Sequence, residues 1–103
     1  MLATIAGKPV HVNDEGFLTE FDEWDEDVAA ALAADIGIAL DAERLEVLRF
    51  VRRDYQERGT TPTLRRVSAT GGFDTKRLFV LFPKKPAKKM AYVAGVPKPV
   101  GCV

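Results

Sequence analysis

The sequence predicts a mainly helical protein (mainly α, α+β) with a β-hairpin at its amino terminus. The chain has 103 residues, which is enough for one domain with a modest core. Its hydrophobic fraction of 47% is ordinary for a folded globular chain. Several stretches after residue 24 combine a capping residue with a helical pattern, whereas strand patterns are concentrated in the first twelve residues. We therefore expect a single domain over residues 1–103.

The first half of the chain predicts a hairpin and two helices. Two short strands joined at Gly7-Lys8 are expected in TIAGKPVHV. A first helix, capped by Asp25, is expected in WDEDVAAALAADIGI. The strongest helical pattern lies in LDAERLEVLRFVRRDYQERG, between the cap Asp41 and the terminating Gly59.

The second half predicts two further helices and one ambiguous segment. A short helix capped by Thr61, with Pro62 at its first position, is expected in TTPTLRRVSATGG. Either a helix capped by Asp74 or Thr75 or a buried strand is compatible with FDTKRLFVLFP. A last helix is expected to begin at Pro86, and a nine-residue tail, GVPKPVGCV, follows it.

Charge is distributed unevenly along the chain, although the net charge is zero. Residues 1–48 contain 12 acidic and 2 basic side chains, a balance of −10. Residues 49–103 contain 13 basic and 3 acidic side chains, a balance of +10. The two halves either neutralise each other in the fold or leave a basic face that attracts an acidic partner or nucleic acid.

Several classes of protein are not supported by the sequence. No stretch approaches the roughly 18 to 20 apolar residues of a membrane span, and no signal peptide is predicted. One cysteine cannot form an internal disulfide, so we expect a cytoplasmic protein without a membrane partner. One His and one Cys do not predict a closed metal site, and no nucleotide-binding fingerprint occurs. We therefore expect no metal and no cofactor.

The segment 49–82 permits a nucleic-acid-binding interpretation. It contains a helix, a glycine turn, a proline-started helix that carries Arg65 and Arg66, and an apolar run. Winged-helix repressors have this order of elements. Under this alternative hypothesis the protein is a DNA-binding regulator that uses the two arginines. The helix that carries them is short and lacks the further polar contact residues of a groove-reading helix.

The only cysteine, Cys102, lies one residue before the carboxy terminus. An exposed thiol is a liability unless its reactivity is used. Pro97 and Pro99 stiffen the tail, which reduces the entropy lost when the tail enters a partner. From Val96 to Val103 the tail can extend at most ~26 Å, at about 3.3 Å per residue. No neighbouring His or second Cys supports self-contained catalysis, so the thiol is better suited to carrying a group.

The tail AGVPKPVGCV resembles the carboxy-terminal signature of the DsrC/TusE family, whose DsrC members are also called the gamma subunit of dissimilatory sulfite reductase. Further matching segments follow in the family's order: DEGFL, EWDEDVAAALAADIGI, LEVLRFVRRDY, TPTLRR and LFPKKPAKKM. The resemblance implies a small orthogonal helical bundle with an amino-terminal β-hairpin and a helix-turn-helix-like core. It also implies a mobile carboxy-terminal arm over residues 95–103.

The resemblance implies a sulfur carrier or sulfurtransferase rather than a stand-alone enzyme. In such proteins the penultimate cysteine, here Cys102, accepts sulfane sulfur as a persulfide and passes it to an acceptor protein. The implied partners are a TusBCD- or DsrEFH-like donor or a sulfite-reductase-like acceptor, serving tRNA 2-thiouridine synthesis or dissimilatory sulfur metabolism. The residues expected to present the arm are Gly95, Pro97, Lys98, Pro99 and Gly101. Those expected to steer it to an acidic partner are Lys84, Lys85, Lys88 and Lys89, together with Lys98.

Three departures from the family's pattern narrow this interpretation. Sulfite-reduction members carry a second cysteine eleven residues before the last one, and here that position is Ala91. A disulfide or trisulfide between two arm cysteines is therefore impossible, which favours a TusE-like or single-cysteine DsrC-like relay. Arg44 and Leu45 stand where the family often has His-Trp. The segment 67–76 is several residues shorter than usual, which predicts a trimmed helix and loop.

Overall fold

A computed structural model describes residues 1–100 of the chain. Two strands and five α-helices are present in these residues, so the predicted mainly helical class with an amino-terminal hairpin is confirmed. The elements are β1 (Leu2–Ile5), β2 (Lys8–His11), a short 3-10 helix (Phe21–Glu23), α1 (Glu26–Asp35), α2 (Ala42–Arg58), α3 (Leu64–Ala69), α4 (Thr75–Leu81) and α5 (Pro86–Ala94).

The hairpin is antiparallel, with Ile5 opposite Lys8 at its closed end. Its two turn residues are Ala6 and Gly7, with φ of 53° and 75°. Positive φ at both central residues is typical of the type I′ turn that matches strand twist. The turn predicted at Gly7-Lys8 is therefore wrong by one residue, because Ala6 adopts the left-handed conformation and Lys8 begins β2. The hairpin packs its buried Val10 against α1.

Three helices begin at the aspartates that the sequence predicts. Asp25 accepts a hydrogen bond from a backbone N–H in the first turn of α1, at 2.8 Å. Asp41 does the same for α2 at 2.8 Å, and Asp74 for α4 at 3.0 Å. Each carboxylate satisfies an N–H that has no partner within its helix, which is typically worth ~1 kcal/mol. Local sequence thus fixes these three starting points.

The predicted start of α3 is wrong by two residues. The cap is Thr63, whose hydroxyl oxygen accepts from the N–H of Arg66 at 3.1 Å, and α3 begins at Leu64. The hydroxyl of Thr61, the predicted cap, donates instead to the carbonyl of Pro97 at 2.6 Å. A contact with the carboxy-terminal segment has therefore replaced the expected local one.

The ambiguous segment 73–83 forms a helix, α4. Leu78 and Leu81 are buried, whereas Phe79 and Val80 between them are 48% and 59% exposed. Burial at a spacing of three with an exposed pair between is a helical pattern, and a strand would bury alternate residues. The exposed Phe79 places an aromatic ring on the protein surface.

The core is organised around the last helix. α5 packs against α1, α2 and α4, and most of its side chains are buried. Val96, the second residue after α5, is fully buried in the same cluster as Leu48, Phe82 and Met90. The carboxy-terminal segment therefore starts inside the core and not at the surface. Within residues 1–100, no helix has the length and apolar character required to cross a membrane.

Candidate functional site

The candidate site is the carboxy-terminal arm and the surfaces beside it. The predicted reactive residue Cys102 and the predicted Gly101 lie outside the described residues, as does Val103. The arm itself is described from Gly95 to Val100, the six residues that precede Gly101 and Cys102.

The arm begins at a glycine that the fold requires. Gly95 has φ of 71°, and Val96 donates its N–H to the carbonyl of Ala91 at 3.2 Å, which closes α5 with a Schellman-type cap. A Cβ at Gly95 would lie 2.6 Å from Cδ1 of Trp24. The Trp24 indole N–H donates to the carbonyl of Val93 at 2.9 Å, which holds the ring against the glycine. Position 95 thus accepts only a residue without a side chain.

Arg52 fixes the same corner from the other side. Its guanidinium donates to the carbonyls of Ala94 at 3.0 Å and Phe21 at 2.9 Å. The same group lies 3.7 Å from the ring centroid of Phe21 and 4.3 Å from that of Trp24. Burial lowers the pKa of the Arg52 guanidinium below its usual value. Charge-assisted hydrogen bonds and cation–π contacts offset this burial and lock the last carbonyl of α5 in place.

Two contacts hold the arm beyond its base. The hydroxyl of Thr61 donates to the carbonyl of Pro97, and Nζ of Lys98 lies 3.2 Å from Oε1 of Glu15. Pro99 is buried, whereas Val100 is 95% exposed. The arm is therefore held on both sides up to Pro99 and projects from the protein at Val100. Of the predicted presenting residues, the structure brings Gly95, Pro97, Lys98 and Pro99 together in this course.

The four predicted steering lysines lie together at the amino-terminal end of α5. They surround a cavity of about 510 Å³, which we call the lysine cavity. It is lined by Glu15, Phe17, Asp35, Ile36, Lys84, Lys85, Lys88, Lys89 and Tyr92. Within residues 1–100, none of the four lysines pairs with a carboxylate. Lys89 donates to the carbonyl of Pro83.

The backbone at this end of α5 is strained. Lys84 and Lys85 have φ of 60° and 50°. The left-handed region is uncommon for a residue with a Cβ and is occupied routinely only by glycine. The two successive lysines lie between Pro83 and Pro86, and both line the cavity.

Tyr92 forms a fixed wall of the lysine cavity. Its hydroxyl donates to Oδ2 of Asp35 at 2.9 Å, and its ring meets that of Phe17 edge-on at 5.5 Å. Burial, together with this hydrogen bond to a carboxylate, raises the pKa of Tyr92 to about 12. The phenol is therefore protonated at neutral pH and acts as a donor to Asp35.

A second cavity, of about 580 Å³, includes Val100 of the arm and shares Lys85 with the lysine cavity. We call it the arm cleft. It is lined by Thr63, Leu64, Arg65, Phe79, Lys85, Pro86, Ala87 and Val100. The exposed Phe79 and the guanidinium of Arg65 thus stand beside the point where the described chain ends.

The two arginines of the DNA-binding hypothesis have different surroundings. Arg66 donates to both carboxylate oxygens of Asp54, at 2.7 to 3.0 Å, and Asp54 is only 4% exposed. The hydrogen bonds from Arg66 hold the pKa of Asp54 below its usual value. Arg66 therefore joins α2 to α3. If Arg66 bound a phosphate of DNA instead, the buried carboxylate of Asp54 would lose its ion-pair partner, which is strongly destabilising. Arg65 is exposed and lines the arm cleft.

Within the described residues 1–100, the acidic and basic halves of the chain meet at three ion pairs. Arg49 pairs with Glu26 at 2.9 Å, Arg77 with Glu43 at 2.6 Å, and Lys98 with Glu15 at 3.2 Å. These exposed pairs contribute little to stability one by one. They show that the two halves neutralise each other in part, while the lysines at the start of α5 keep an excess of positive charge.

Sequence reasoning missed four residues that position the arm: Glu15, Trp24, Arg52 and Thr61. Glu15 and Thr61 lie in loops. Glu15 looks like an ordinary polar residue, and Thr61 carried only the pattern of a helix cap. Arg52 carried a weak signal, since it lies four residues after Leu48 on the apolar side of α2. The signal for Trp24 was its place as the only tryptophan, next to the cap of α1.

The chain is similar to known proteins over nearly its whole length. A family model described as "DsrC like protein" matches residues 4–103. A protein named sulfurtransferase TusE from Salmonella typhimurium is 42% identical over 104 aligned residues, covering 94% of this chain and 95% of the relative. The protein of the same name from Escherichia coli K12 is 39% identical with the same coverage.

Solved structures show the same fold. The NMR structure of DsrC from Allochromatium vinosum superposes with a TM-score of 0.83 at 35% identity, with both chains covered in full. The oxidised gamma subunit of dissimilatory sulfite reductase from Archaeoglobus fulgidus gives a TM-score of 0.76 at 31% identity, again with full coverage. These matches confirm the resemblance and the fold class that the sequence predicted.

Proposed function

Because the chain belongs to the DsrC-like protein family, we propose that it carries sulfane sulfur as a persulfide on Cys102 and passes it to an acceptor protein. The names of its relatives support a sulfur-relay role. The observation that carries most of the proposal is the course of the arm. It is fixed to the protein from Gly95 to Pro99 and projects at Val100, two residues before the only thiol.

The proposed reaction moves one sulfur atom without net oxidation. The Cys102 thiolate attacks the outer sulfur of a donor persulfide, a new S–S bond forms, and the donor leaves as a thiolate. In the second step an acceptor thiolate attacks the outer sulfur now held on Cys102, and the Cys102 thiolate is released. One cysteine is sufficient for both steps. Ala91 stands where a second cysteine would allow an internal disulfide, so loaded sulfur is passed on only to another molecule.

The arm residues have separate proposed roles. Gly95 allows the arm to leave α5 against Trp24, and Pro97 and Pro99 restrict its course. Lys98, held by Glu15, sets its direction. Gly101 lies outside the described residues, and its proposed role is to give clearance beside the thiol. The arm thereby reaches a partner with little conformational entropy left to lose.

The proposed partners are proteins of a relay: a TusBCD- or DsrEFH-like donor, or a sulfite-reductase-like acceptor. Ala91 favours a TusE-like or single-cysteine DsrC-like relay over one that needs two arm cysteines. The lysines at the start of α5 are proposed to steer the arm to an acidic partner, because opposite charges accelerate encounter.

The test is intact-protein mass spectrometry after incubation with a low-molecular-weight persulfide donor. The wild type is expected to gain the mass of about one sulfur atom, which a reductant removes. Cys102→Ser is the matched control and is expected to gain nothing. A wild-type chain that gains no sulfur from any persulfide donor, or an equal gain in Cys102→Ser, would contradict the proposal.

A further inference from the structure

We propose that the lysine cavity is the docking site for an acidic segment of a partner protein that inserts one apolar side chain between the lysines. The proposal rests on the proposed function, since this partner is the protein that gives or takes the sulfur. It adds the place on the surface where the partner is held and the chemistry that recognises it.

The floor of the cavity is apolar and already formed. Phe17 is 2% exposed, and its ring meets the ring of Tyr92 at 5.5 Å. The hydrogen bond from Tyr92 to Asp35 fixes that ring, and Ile36 completes the floor. A volume of about 510 Å³ lies within the range of small ligand sites and accommodates a large apolar side chain with its backbone. A nucleic-acid backbone offers no such group, so this floor favours a protein segment.

The rim of the cavity is basic, because its four lysines outnumber its two carboxylates. Its two carboxylates are both engaged, Glu15 with Lys98 and Asp35 with the hydroxyl of Tyr92. The four lysines on the rim have no carboxylate partner within residues 1–100. Charge complementarity therefore selects a segment with carboxylates on both sides of its apolar residue.

Backbone strain points to the same place. Lys84 and Lys85 adopt a left-handed conformation that glycine adopts more readily, and both side chains line the cavity. Unfavourable conformations persist where the surroundings impose them, and they are concentrated at functional sites. A lysine kept where glycine fits the backbone better is accounted for by the charge that it brings to the rim.

The experiment follows backbone amide shifts of the ¹⁵N-labelled chain during titration with the capped peptide Glu-Asp-Leu-Phe-Glu-Asp. The largest shifts are expected at Phe17, Ile36 and Tyr92. The dissociation constant is expected to rise at least tenfold between about 0.02 M and about 0.5 M NaCl, because salt screens the lysines. A peptide with Ser in place of Leu and Phe, and one with Gln and Asn in place of the acids, are each expected to bind at least fivefold more weakly.

Lys88→Gln tests the rim directly, with Lys76→Gln on α4 as the matched control. Lys88→Gln is expected to weaken peptide binding about threefold, a size typical of one partly exposed charge, and Lys76→Gln to leave it unchanged. Equal effects of both variants, shifts confined to other surfaces, or equal binding of the Ser peptide would each overturn the proposal. Larger chemical-shift changes of the same amides with a tRNA fragment than with the acidic peptide would also overturn the proposal.

Sulfur loading of the wild type by a low-molecular-weight persulfide, measured on the same preparation, separates the two proposals. A chain that loads sulfur and binds no acidic peptide overturns the docking site and leaves the relay. A chain that binds the peptide at the lysine cavity and loads no sulfur overturns the relay and leaves the docking site.

Discussion

The two ends of α5 are built in opposite ways. At its carboxy-terminal end a glycine occupies the left-handed position, and Trp24 and Arg52 close over it with hydrogen bonds to the last carbonyls. At its amino-terminal end two lysines occupy left-handed positions, and their charges face a cavity. The carboxy-terminal end is free of backbone strain, because glycine adopts the left-handed conformation readily, and it fixes where the arm starts. The amino-terminal end gives up stability and gains positive charge, which is typical of a surface selected for binding.

The largest expected effect is at the stable end. Gly95→Ala places a Cβ 2.6 Å from Cδ1 of Trp24 and forces a non-glycine residue to a φ of 71°. We expect the free energy of unfolding to fall by about 2–4 kcal/mol, from left-handed strain and overpacking together. Chemical denaturation measures this loss.

Gly37→Ala is the matched control for this substitution. Gly37 has a φ of 74°, and a Cβ at this position would have nothing within 4 Å, so only the backbone contribution of about 1–2 kcal/mol remains. Equal losses in the two variants would show that the contact with Trp24 contributes nothing.

At the strained end glycine is expected to have the opposite effect. Lys85→Gly relieves a left-handed residue with φ of 50° and should raise the free energy of unfolding by about 1 kcal/mol. Lys88→Gly, three positions on and inside α5, should lower it by about 1 kcal/mol. Thermal or chemical denaturation of the pair gives the sign of each change. Destabilisation in both variants would remove the contrast between the two ends of α5.

A smaller effect is expected at Tyr92. Tyr92→Phe removes the hydrogen bond to Asp35 and should cost about 0.5–1.5 kcal/mol at neutral pH. The pKa of Tyr92 is raised from 10.0 to about 12, so its contribution to stability is complete below pH 10 and is lost as the pH rises through about 12. Ultraviolet absorbance, which follows the formation of tyrosinate, should show an ionisation near pH 12 in the wild type that is missing in Tyr92→Phe. An unchanged titration would contradict the assignment.

The smallest effect on stability is expected at Thr61. Thr61→Val removes the donor to the carbonyl of Pro97, which is partly exposed, so we expect a change below about 0.5 kcal/mol. The heteronuclear NOE of the Lys98 and Val100 amides should nevertheless fall, since one of the two contacts that hold the arm is gone. Thr75→Val, which instead removes an exposed hydrogen bond from Thr75 to Ser68, is the control and should leave those two amides unchanged.

Local features of the chain could be predicted from the sequence, and long-range ones could not. The caps Asp25, Asp41 and Asp74 act within three residues of themselves, so composition and spacing identify them. The same pattern predicted Thr61 as a cap. That prediction is wrong because the hydroxyl of Thr61 binds the carbonyl of Pro97, which lies 36 residues away. The ion pair of Glu15 with Lys98 joins residues 83 apart, and no local pattern indicates it.

The candidate site shows the same division. The signature of the tail predicted the family and the reactive residue Cys102, whose role stays a prediction. The sequence also grouped four lysines that the structure brings around one cavity. It could not distinguish Arg65 from Arg66, because only the tertiary structure places the buried Asp54 beside Arg66. It likewise gave no sign of the aromatic floor, to which Phe17, Ile36 and Tyr92 come from distant parts of the chain.

Glu15 links the lysine cavity to the arm, since it lines the cavity and also pairs with Lys98 of the arm. An acidic guest in the cavity is attracted by Lys98 and repelled by Glu15, so it binds most tightly while the two are paired. Thermodynamic reciprocity then requires that the guest strengthens the hold of Glu15 on Lys98 by the same factor. Under the docking proposal, a docked partner would therefore fix the base of the arm, and movement of the arm away from Glu15 would loosen the partner, so that the two events are coupled.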